Sequence, residues 1–249
     1  MIKSLLDALF PPRCLGCRGL GIPFCAACAP RVAFLDPPGC LRCGRPLEWP
    51  VERCADCPPE AIGRARAAFL YDGPVRRALM SLKFGGLRAN AEPLADWMVR
   101  ALGPMDTHRL QVTWVPLGRR RLSGRGFDQA EALAKAVAAR LDFAPARRLL
   151  RRTTETEPQA KRVGAARRQA VRGAFLALAR QPQRVLLIDD VLTSGATAAE
   201  CARVLRRAGA EEVVLLTAAR SLGGAVPARC YNPAGLWPGS VVARENVSR

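Results

Sequence analysis

The chain has 249 residues, 49% of them hydrophobic and 24% charged, and its 39 Lys and Arg against 21 Asp and Glu give a net charge of +18. This length and apolar content allow one domain of ordinary size with a small one beside it. No apolar run reaches about 18 residues and no small-residue cleavage site follows the start. We therefore expect no membrane span, no signal peptide and a cytoplasmic protein.

The N-terminal part of the chain is dominated by cysteine. Residues 1–10 predict a short amphipathic helix that packs on its own domain, with peripheral contact with a membrane or a partner as the alternative. Eight of the ten cysteines then occur before residue 58, as four CxxC pairs. Two such turns complete a four-thiolate zinc site, so we predict two structural zinc ions in a double zinc-ribbon module over residues 1–60.

The order in which these pairs combine is left open by spacing alone. Joining neighbours is simplest, and an interleaved pairing is the alternative. A disulfide framework would call for signs of secretion, and thiol redox chemistry needs one reactive pair at a helix start, so both fit poorly. The neighbour pairing gives one site from Cys14, Cys17, Cys25 and Cys28 and a second from Cys40, Cys43, Cys54 and Cys57.

Residues 61–220 alternate between strand and helix patterns, which predicts an α/β domain with a mainly parallel sheet. Residues 152–171 lack apolar periodicity and predict a long mobile loop, and residues 221–249 predict a poorly ordered tail. Strands are expected at 65–71, 112–115, 148–151, 174–178, 185–188 and 213–218, and helices at 75–82, 92–102, 127–141 and 198–207.

The most informative stretch is VLLIDDVLTSGAT, residues 185–197. Its apolar run is typical of a parallel strand buried on both faces, and Asp189 and Asp190 follow at the carboxyl end, where open α/β sheets bind ligands. Residues 193–197 lead into a helix, whose N-terminal amides suit a phosphate, and two carboxylates suit ribose hydroxyls. The alternative is an ordinary turn with acidic residues. No GxxxxGK[ST] motif occurs, which argues against a P-loop ATPase.

This stretch resembles the signature of the type I phosphoribosyltransferases. The resemblance implies their fold, with a mainly parallel sheet flanked by helices, and a site for phosphoribosyl pyrophosphate (PRPP) or a related sugar phosphate. Asp189 and Asp190 would bind the ribose 2′ and 3′ hydroxyls. The 5′-phosphate would be held by Thr193, Ser194, Gly195, Ala196 and Thr197.

Further landmarks narrow the resemblance to the ComF family, the competence protein F or GntX-like group. It implies a competence context in which related proteins help bring single-stranded DNA into the cytoplasm, and an acceptor-recognising hood over residues 63–103. The family usually has Asn where Asp128 stands. The landmarks are the four CxxC pairs, Phe10 to Cys14, Tyr71 to Val75, Leu82 to Phe84, Val115 to Leu117 and Arg125 to Gln129.

Two functions of different class remain open. One is a PRPP-binding protein that handles single-stranded DNA with the competence machinery; the other is an active phosphoribosyltransferase with an unidentified nucleobase or amine acceptor. If the protein is an enzyme, Asp189 and Asp190 are the catalytic pair. The leaving pyrophosphate would meet the loop Pro116, Leu117 and Gly118, and its charge would be neutralised by Arg125 and by Arg119, Arg120 and Arg121, together with Mg²⁺.

The net charge is concentrated in one part of the chain. Residues 115–185 hold seventeen Lys and Arg against five Asp and Glu, whereas residues 1–60 hold seven against six. Such an excess attracts polyanions, either pyrophosphate or nucleic acid. A solvated charged face is the alternative for the Arg residues near position 150.

Overall fold

The computed structural model describes residues 13–21, 23–35, 39–57, 62–103, 110–142, 144–154, 169, 171–180 and 182–222. The helix predicted at residues 1–10, most of the loop predicted at 152–171 and nearly all of the predicted tail lie outside the described residues. Within the described part of the chain, no helix has both the length and the apolar character needed to cross a membrane.

A four-stranded parallel sheet forms the centre of the protein. Its spatial order is β1-β6-β5-β2, and a separate antiparallel pair joins β3 to β4. The strands are β1 (Arg64–Leu70), β2 (Leu110–Trp114), β3 (Leu150–Arg152), β4 (Phe175–Ala177), β5 (Arg184–Leu192) and β6 (Glu212–Arg220). The helices are α1 (Gly73–Phe84), α2 (Ala91–Leu102), α3 (Arg119–Arg125), α4 (Gln129–Arg140) and α5 (Ala196–Arg207).

The sheet is buried on both faces, which explains the continuous apolar runs of its central strands. In β5, Leu186 and Ile188 pack with α2 and α4, whereas Val185 and Leu187 pack with α5 and the β3–β4 pair on the other side. This alternation is the period of two expected of a strand. The predicted α/β architecture is confirmed, and Cys201 of α5 is a fully buried core residue.

The cysteine-rich segment covers the free edge of β1. Leu35 N donates to Ala68 O at 3.1 Å and Leu70 N to Ala33 O at 2.9 Å, so the segment adds strand-like pairing at that edge. The Phe34 ring lies 5.2 Å from the Phe69 ring, centroid to centroid. The cysteine-rich segment and the sheet therefore share one core, and a domain boundary at residue 60 stays a prediction.

Three elements differ from the sequence-based expectation. The helix α3 was not predicted, because its sequence RRRLSGR has no apolar periodicity; it ends at Gly126, which has a left-handed backbone with φ of 72°. The strand β5 runs on to Leu192, so the acidic pair lies within it rather than after it. Residues 63–103 form no separate hood, since they include the sheet strand β1 and the core helix α2.

Candidate ligand groove and metal centres

Two groups of four cysteine sulfurs converge near the N-terminus. One group is Cys14, Cys17, Cys25 and Cys28, the other is Cys40, Cys43, Cys54 and Cys57, and within each group all Sγ atoms lie within 4.8 Å of one another. The Sγ atoms of Cys40 and Cys57 are 3.4 Å apart and those of Cys43 and Cys54 are 3.5 Å apart. A zinc ion with bonds of about 2.3 Å to sulfur needs tetrahedron edges of about 3.8 Å. The neighbour pairing is confirmed, and the interleaved one is wrong.

The pKa values of the thiols differ within each group. Burial favours a raised pKa for Cys14 and Cys40, but backbone N–H donors outweigh it and lower both pKa values to about 6. Among these donors, Cys25 N lies 3.3 Å from Cys14 Sγ and Cys54 N lies 3.3 Å from Cys40 Sγ. Burial and the neighbouring sulfurs raise the pKa of Cys28 and Cys54 to about 12. Zinc binding displaces the protons of such thiols, and the convergence of four sulfurs identifies each group as a structural zinc site.

An open groove of about 850 Å³ lies at the carboxyl edge of the sheet. It is formed where β5 ends beside the loop that follows β2, which is fixed in place because Val115 N donates to Ile188 O at 2.9 Å. Of the residues predicted from sequence to bind PRPP, the groove lining contains Asp189, Asp190, Pro116, Leu117, Arg125, Thr193 and Thr197.

The two carboxylates of β5 differ in environment. Asp190 is only 6% exposed and forms an ion pair with Lys83 from α1, and its Oδ1 accepts from Val191 N at 2.9 Å. The pKa of Asp189 is raised well above its ordinary value by burial and then by the charge of Asp190. Two carboxyl groups held this closely, with a lysine on one of them, are unlike an exposed acidic turn. They can accept hydrogen bonds from a vicinal diol.

A smaller pocket of about 340 Å³ lies between Asp189 and the start of α5. Its lining includes all five residues from Thr193 to Thr197. Gly195 adopts a left-handed backbone with φ of 71° and precedes α5, and the Ser194 hydroxyl accepts from Ala196 N at 3.4 Å. The first amides of a helix have no intrahelical acceptor, so this loop can hold an anion such as a phosphate.

The loop after β2 is braced by Asp128. One carboxylate oxygen of Asp128 accepts from Leu117 N at 2.8 Å, and the other accepts from Ala130 N at 3.0 Å as the N-cap of α4. Burial raises the pKa of Asp128, and the backbone donors oppose that rise. The departure from the family's Asn therefore has a structural use here, since a carboxylate can accept from both sides.

Cationic side chains also line the groove. Arg125 donates to Gln129 Oε1 at 3.0 Å and lies 4.6 Å from the centroid of the Phe84 ring. Arg121 and Arg152 also line the groove, whereas Arg119 is on an exposed face of α3. Gly118 is the N-cap of α3, and neither it nor Arg119 lines either pocket.

Several groove residues were not identified as site residues from sequence. Tyr71, Lys83 and Gln129 were visible only within the family landmarks. Arg152 was placed at the start of the predicted loop, with a solvated charged face as the alternative. All four line the groove. A single sequence carries no signal for contacts such as that between Lys83 and Asp190, because these residues belong to elements far apart along the chain.

Comparison with known proteins gives consistent matches. The family model of the double zinc ribbon domain matches residues 5–58. Competence protein F of Haemophilus influenzae is 29% identical over 224 residues, which cover 84% of this chain and 97% of that protein. The DNA utilization protein YhgH of Escherichia coli O157:H7 is 31% identical over 220 residues, covering 85% and 94%. Competence protein ComFC of Streptococcus pneumoniae is 28% identical over 166 residues, covering 65% and 72%.

The solved structures that match include the allosteric regulatory enzyme of purine biosynthesis. It has a TM-score of 0.37 and 20% sequence identity, and the match covers 55% of this chain. The chain spans only 29% of that structure.

Proposed function

The chain belongs to the ComF family, and from that premise we propose that its groove binds PRPP together with Mg²⁺. The observation that carries the proposal is the placement of Asp189 and Asp190 beside the loop of residues 193–197, with cationic side chains in the same groove. A diol, a terminal phosphate and a pyrophosphate on one small molecule match these three parts. Alternative nucleotide sites lack their sequence signatures in this chain.

The proposed roles follow from the positions of the side chains. Asp189 and Asp190 accept hydrogen bonds from the ribose 2′ and 3′ hydroxyls, and the N-terminal amides of α5 bind the 5′-phosphate. The pyrophosphate lies along Pro116 and Leu117, where Mg²⁺ and the guanidinium groups offset its charge. We assign Arg121, Arg125 and Arg152 to this task; of the predicted run Arg119 to Arg121, Arg121 is the one that lines the groove.

The second part of the proposal is that the protein handles single-stranded DNA in the cytoplasm with the competence machinery. The names of its relatives support this, as does the charge around the groove. Arg119 and Arg120 of α3 are exposed, and so are Arg147, Arg148 and Arg151 next to or within β3. These two elements also contribute Arg121, Arg125 and Arg152 to the groove, so a strand crossing them would pass beside it.

A transferase activity is the second candidate. The cationic side chains of the groove favour it, because they can offset the charge of a leaving pyrophosphate. An acceptor nitrogen would form a bond to C1 of PRPP while the bond from C1 to the pyrophosphate oxygen breaks. The proton released by the nitrogen would pass to the leaving pyrophosphate or to water, and bound Mg²⁺ would help to offset the charge of the pyrophosphate. Orientation and charge neutralisation supply most of the catalysis in such a reaction, and the groove offers both.

One set of assays separates the two candidates. Ligand binding is measured first, as stabilisation against heat by PRPP with Mg²⁺, with ribose 5-phosphate and inorganic pyrophosphate as partial ligands. Pyrophosphate release is then measured with a panel of nucleobases, amines and single-stranded DNA. Stabilisation by PRPP without pyrophosphate release supports a binding protein, release with one acceptor supports the transferase, and no stabilisation by any of the three ligands contradicts the proposed site.

A further inference from the structure

The second zinc centre, formed by Cys40, Cys43, Cys54 and Cys57, lies against the part of the sheet that holds the phosphate loop of residues 193–197. Cys40 and Cys43 belong to the same hydrophobic cluster as Leu192 and Ala198, the residues on either side of that loop. The first zinc centre is placed differently, since Gly16 and Cys28 contact α1 through Arg77. The two centres therefore support different parts of the molecule.

A single buried arginine joins the second centre to the loop. Arg220 is 3% exposed, and its guanidinium donates to Cys43 O at 2.7 Å and to Asp56 O at 3.5 Å. Cys43 belongs to the first CxxC turn of this centre, and Asp56 lies between the two cysteines of the other. The carbonyls of Cys43 and Asp56 can both accept from one guanidinium only when the two CxxC turns lie close together. A zinc ion bound by both turns holds them in that position.

The backbone at Arg220 is paired with the residue that precedes the loop. Arg220 is paired with Leu192 across β6 and β5, and Ser221 N donates to Leu192 O at 2.9 Å. On its other side, Tyr71 N donates to Arg220 O at 2.8 Å, and Tyr71 lines the groove. A displacement of the Arg220 side chain would therefore act on backbone at both sides of the ligand site.

A second arginine strengthens the same contact. Arg66 of β1 donates to Leu41 O at 2.7 Å and to Arg42 O at 3.3 Å. Burial lowers the pKa of Arg66 to about 10. Arginines of two neighbouring strands, β1 and β6, thus donate to the backbone of the first CxxC turn of this centre. Zinc binding, which orders that turn, therefore also stabilises its contacts with the two strands.

We propose that the second zinc centre positions the phosphate loop through Arg220, so that loss of this zinc ion weakens ligand binding, whereas loss of the first zinc ion does not. Arg220 is a positioning residue in this account, because it acts on the loop through backbone pairing. The effect on PRPP affinity rests on the proposed function, but the effect on the loop itself does not.

The experiment compares full-length variants that each disable one centre. Cys57→Ser disables the second and Cys17→Ser the first, and zinc analysis must find one ion fewer in each. Hydrogen exchange of amides 192–198 is measured without ligand, and PRPP binding with Mg²⁺ is then measured by titration. We expect loop exchange to rise about tenfold or more and PRPP affinity to fall at least about fivefold in Cys57→Ser, with both within about twofold in Cys17→Ser.

Arg220→Lys is the second variant, for the case in which Cys57→Ser does not fold. It keeps the charge but cannot bridge both carbonyls, so loop exchange should rise while both zinc ions stay bound; Arg77→Lys is the matched control at the first centre. Unchanged loop exchange in Arg220→Lys, or equal changes in Cys17→Ser and Cys57→Ser, would overturn the inference. Wild-type protein that fails to bind PRPP would contradict the proposed function alone, because exchange still reports on the loop.

Discussion

Lys83 at the end of α1 forms an ion pair with Asp190 of β5, and the two side chains are only 18% and 8% exposed. The pair joins the helix that overhangs the groove to the strand that supplies the proposed ribose ligands. Lys83 also counters the mutual repulsion of the carboxylates, because its positive charge lowers the pKa of Asp189 while burial and Asp190 raise it. The charge of Lys83 thus makes it easier for two neighbouring carboxyl groups to be ionised in the groove.

Replacing Lys83 should therefore make ligand binding more dependent on pH. In Lys83→Met the pKa of Asp189 rises further, so PRPP should bind about tenfold more weakly near neutral pH and half-maximal binding should move to higher pH. Lys135→Met, which removes an exposed lysine of α4, is the control. Titrations across the range from about pH 5.5 to 8.5 measure the effect. Identical pH profiles for Lys83→Met and wild type would contradict this role.

Asp189 should lower the free energy of unfolding of the protein without ligand, although we expect it to contribute to ligand binding. A raised pKa means that the folded protein holds the proton more tightly than the unfolded chain, so stability falls as pH rises from about 4 through the folded pKa. Asp189→Asn removes this loss, and each kcal/mol gained raises Tm by about 2–4 °C in a chain of this size. Melting curves near pH 5 and pH 7.5 should show that the variant gains more in Tm at the higher pH. The variant should no longer bind PRPP.

An Asp189→Asn variant that melts below wild type at the higher pH would contradict this account. Thr217→Val offers a control for the site wall, since Thr217 lines the smaller pocket but carries no charge. Its melting temperature should show no such dependence on pH.

The zinc centres should be essential for folding of the N-terminal segment. Purified protein should contain two zinc ions, because the eight sulfurs form two groups of four. Structural zinc contributes about 10–16 kcal/mol in small zinc-binding peptides, so a strong chelator should abolish cooperative unfolding of this part. Elemental analysis and melting curves before and after chelation measure both effects. A folded, reduced protein with no zinc would contradict the assignment.

Single-stranded DNA binding should depend on the exposed arginines beside the groove. Replacing Arg147, Arg148 and Arg151 together with Ala should weaken binding and flatten its salt dependence, by a log–log slope of about 0.7 for each phosphate that is no longer neutralised. The replacement of Arg180, Arg206 and Arg207, also exposed, is the matched control. Fluorescence anisotropy with a strand of about thirty nucleotides measures it. Equally weakened binding in both triple variants would indicate general charge attraction rather than a defined path.

The sequence was most predictive where a short stretch contains the whole signal. The CxxC pairs and residues 185–197 are such stretches, since a knuckle or a strand-loop-helix turn is fixed by local spacing. It was least predictive where the signal is three-dimensional. The contacts of Lys83 with Asp190 and of Arg220 with Cys43 join distant segments. Helix α3 was missed because its first turn is all arginine, so no apolar face marks it.

The end of β5 illustrates a boundary that sequence could not fix. Its apolar run stops at Ile188, but pairing with β6 continues to Leu192. Val191 lies opposite Ala219 and Leu192 lies opposite Arg220. Acidic residues inside a strand are disfavoured by propensity, and here tertiary pairing overrides it. The difference places Asp189 and Asp190 on rigid backbone.

The central claim is tested most directly by titrating PRPP with Mg²⁺ into zinc-loaded wild-type protein and into Asp190→Asn, which preserves the shape of the side chain. The account predicts saturable one-to-one binding to wild type and an affinity lower by at least about tenfold in the variant, which equals about 1.4 kcal/mol. It also predicts that inorganic pyrophosphate competes. No saturable binding to wild type, or equal affinities in the two proteins, would contradict it.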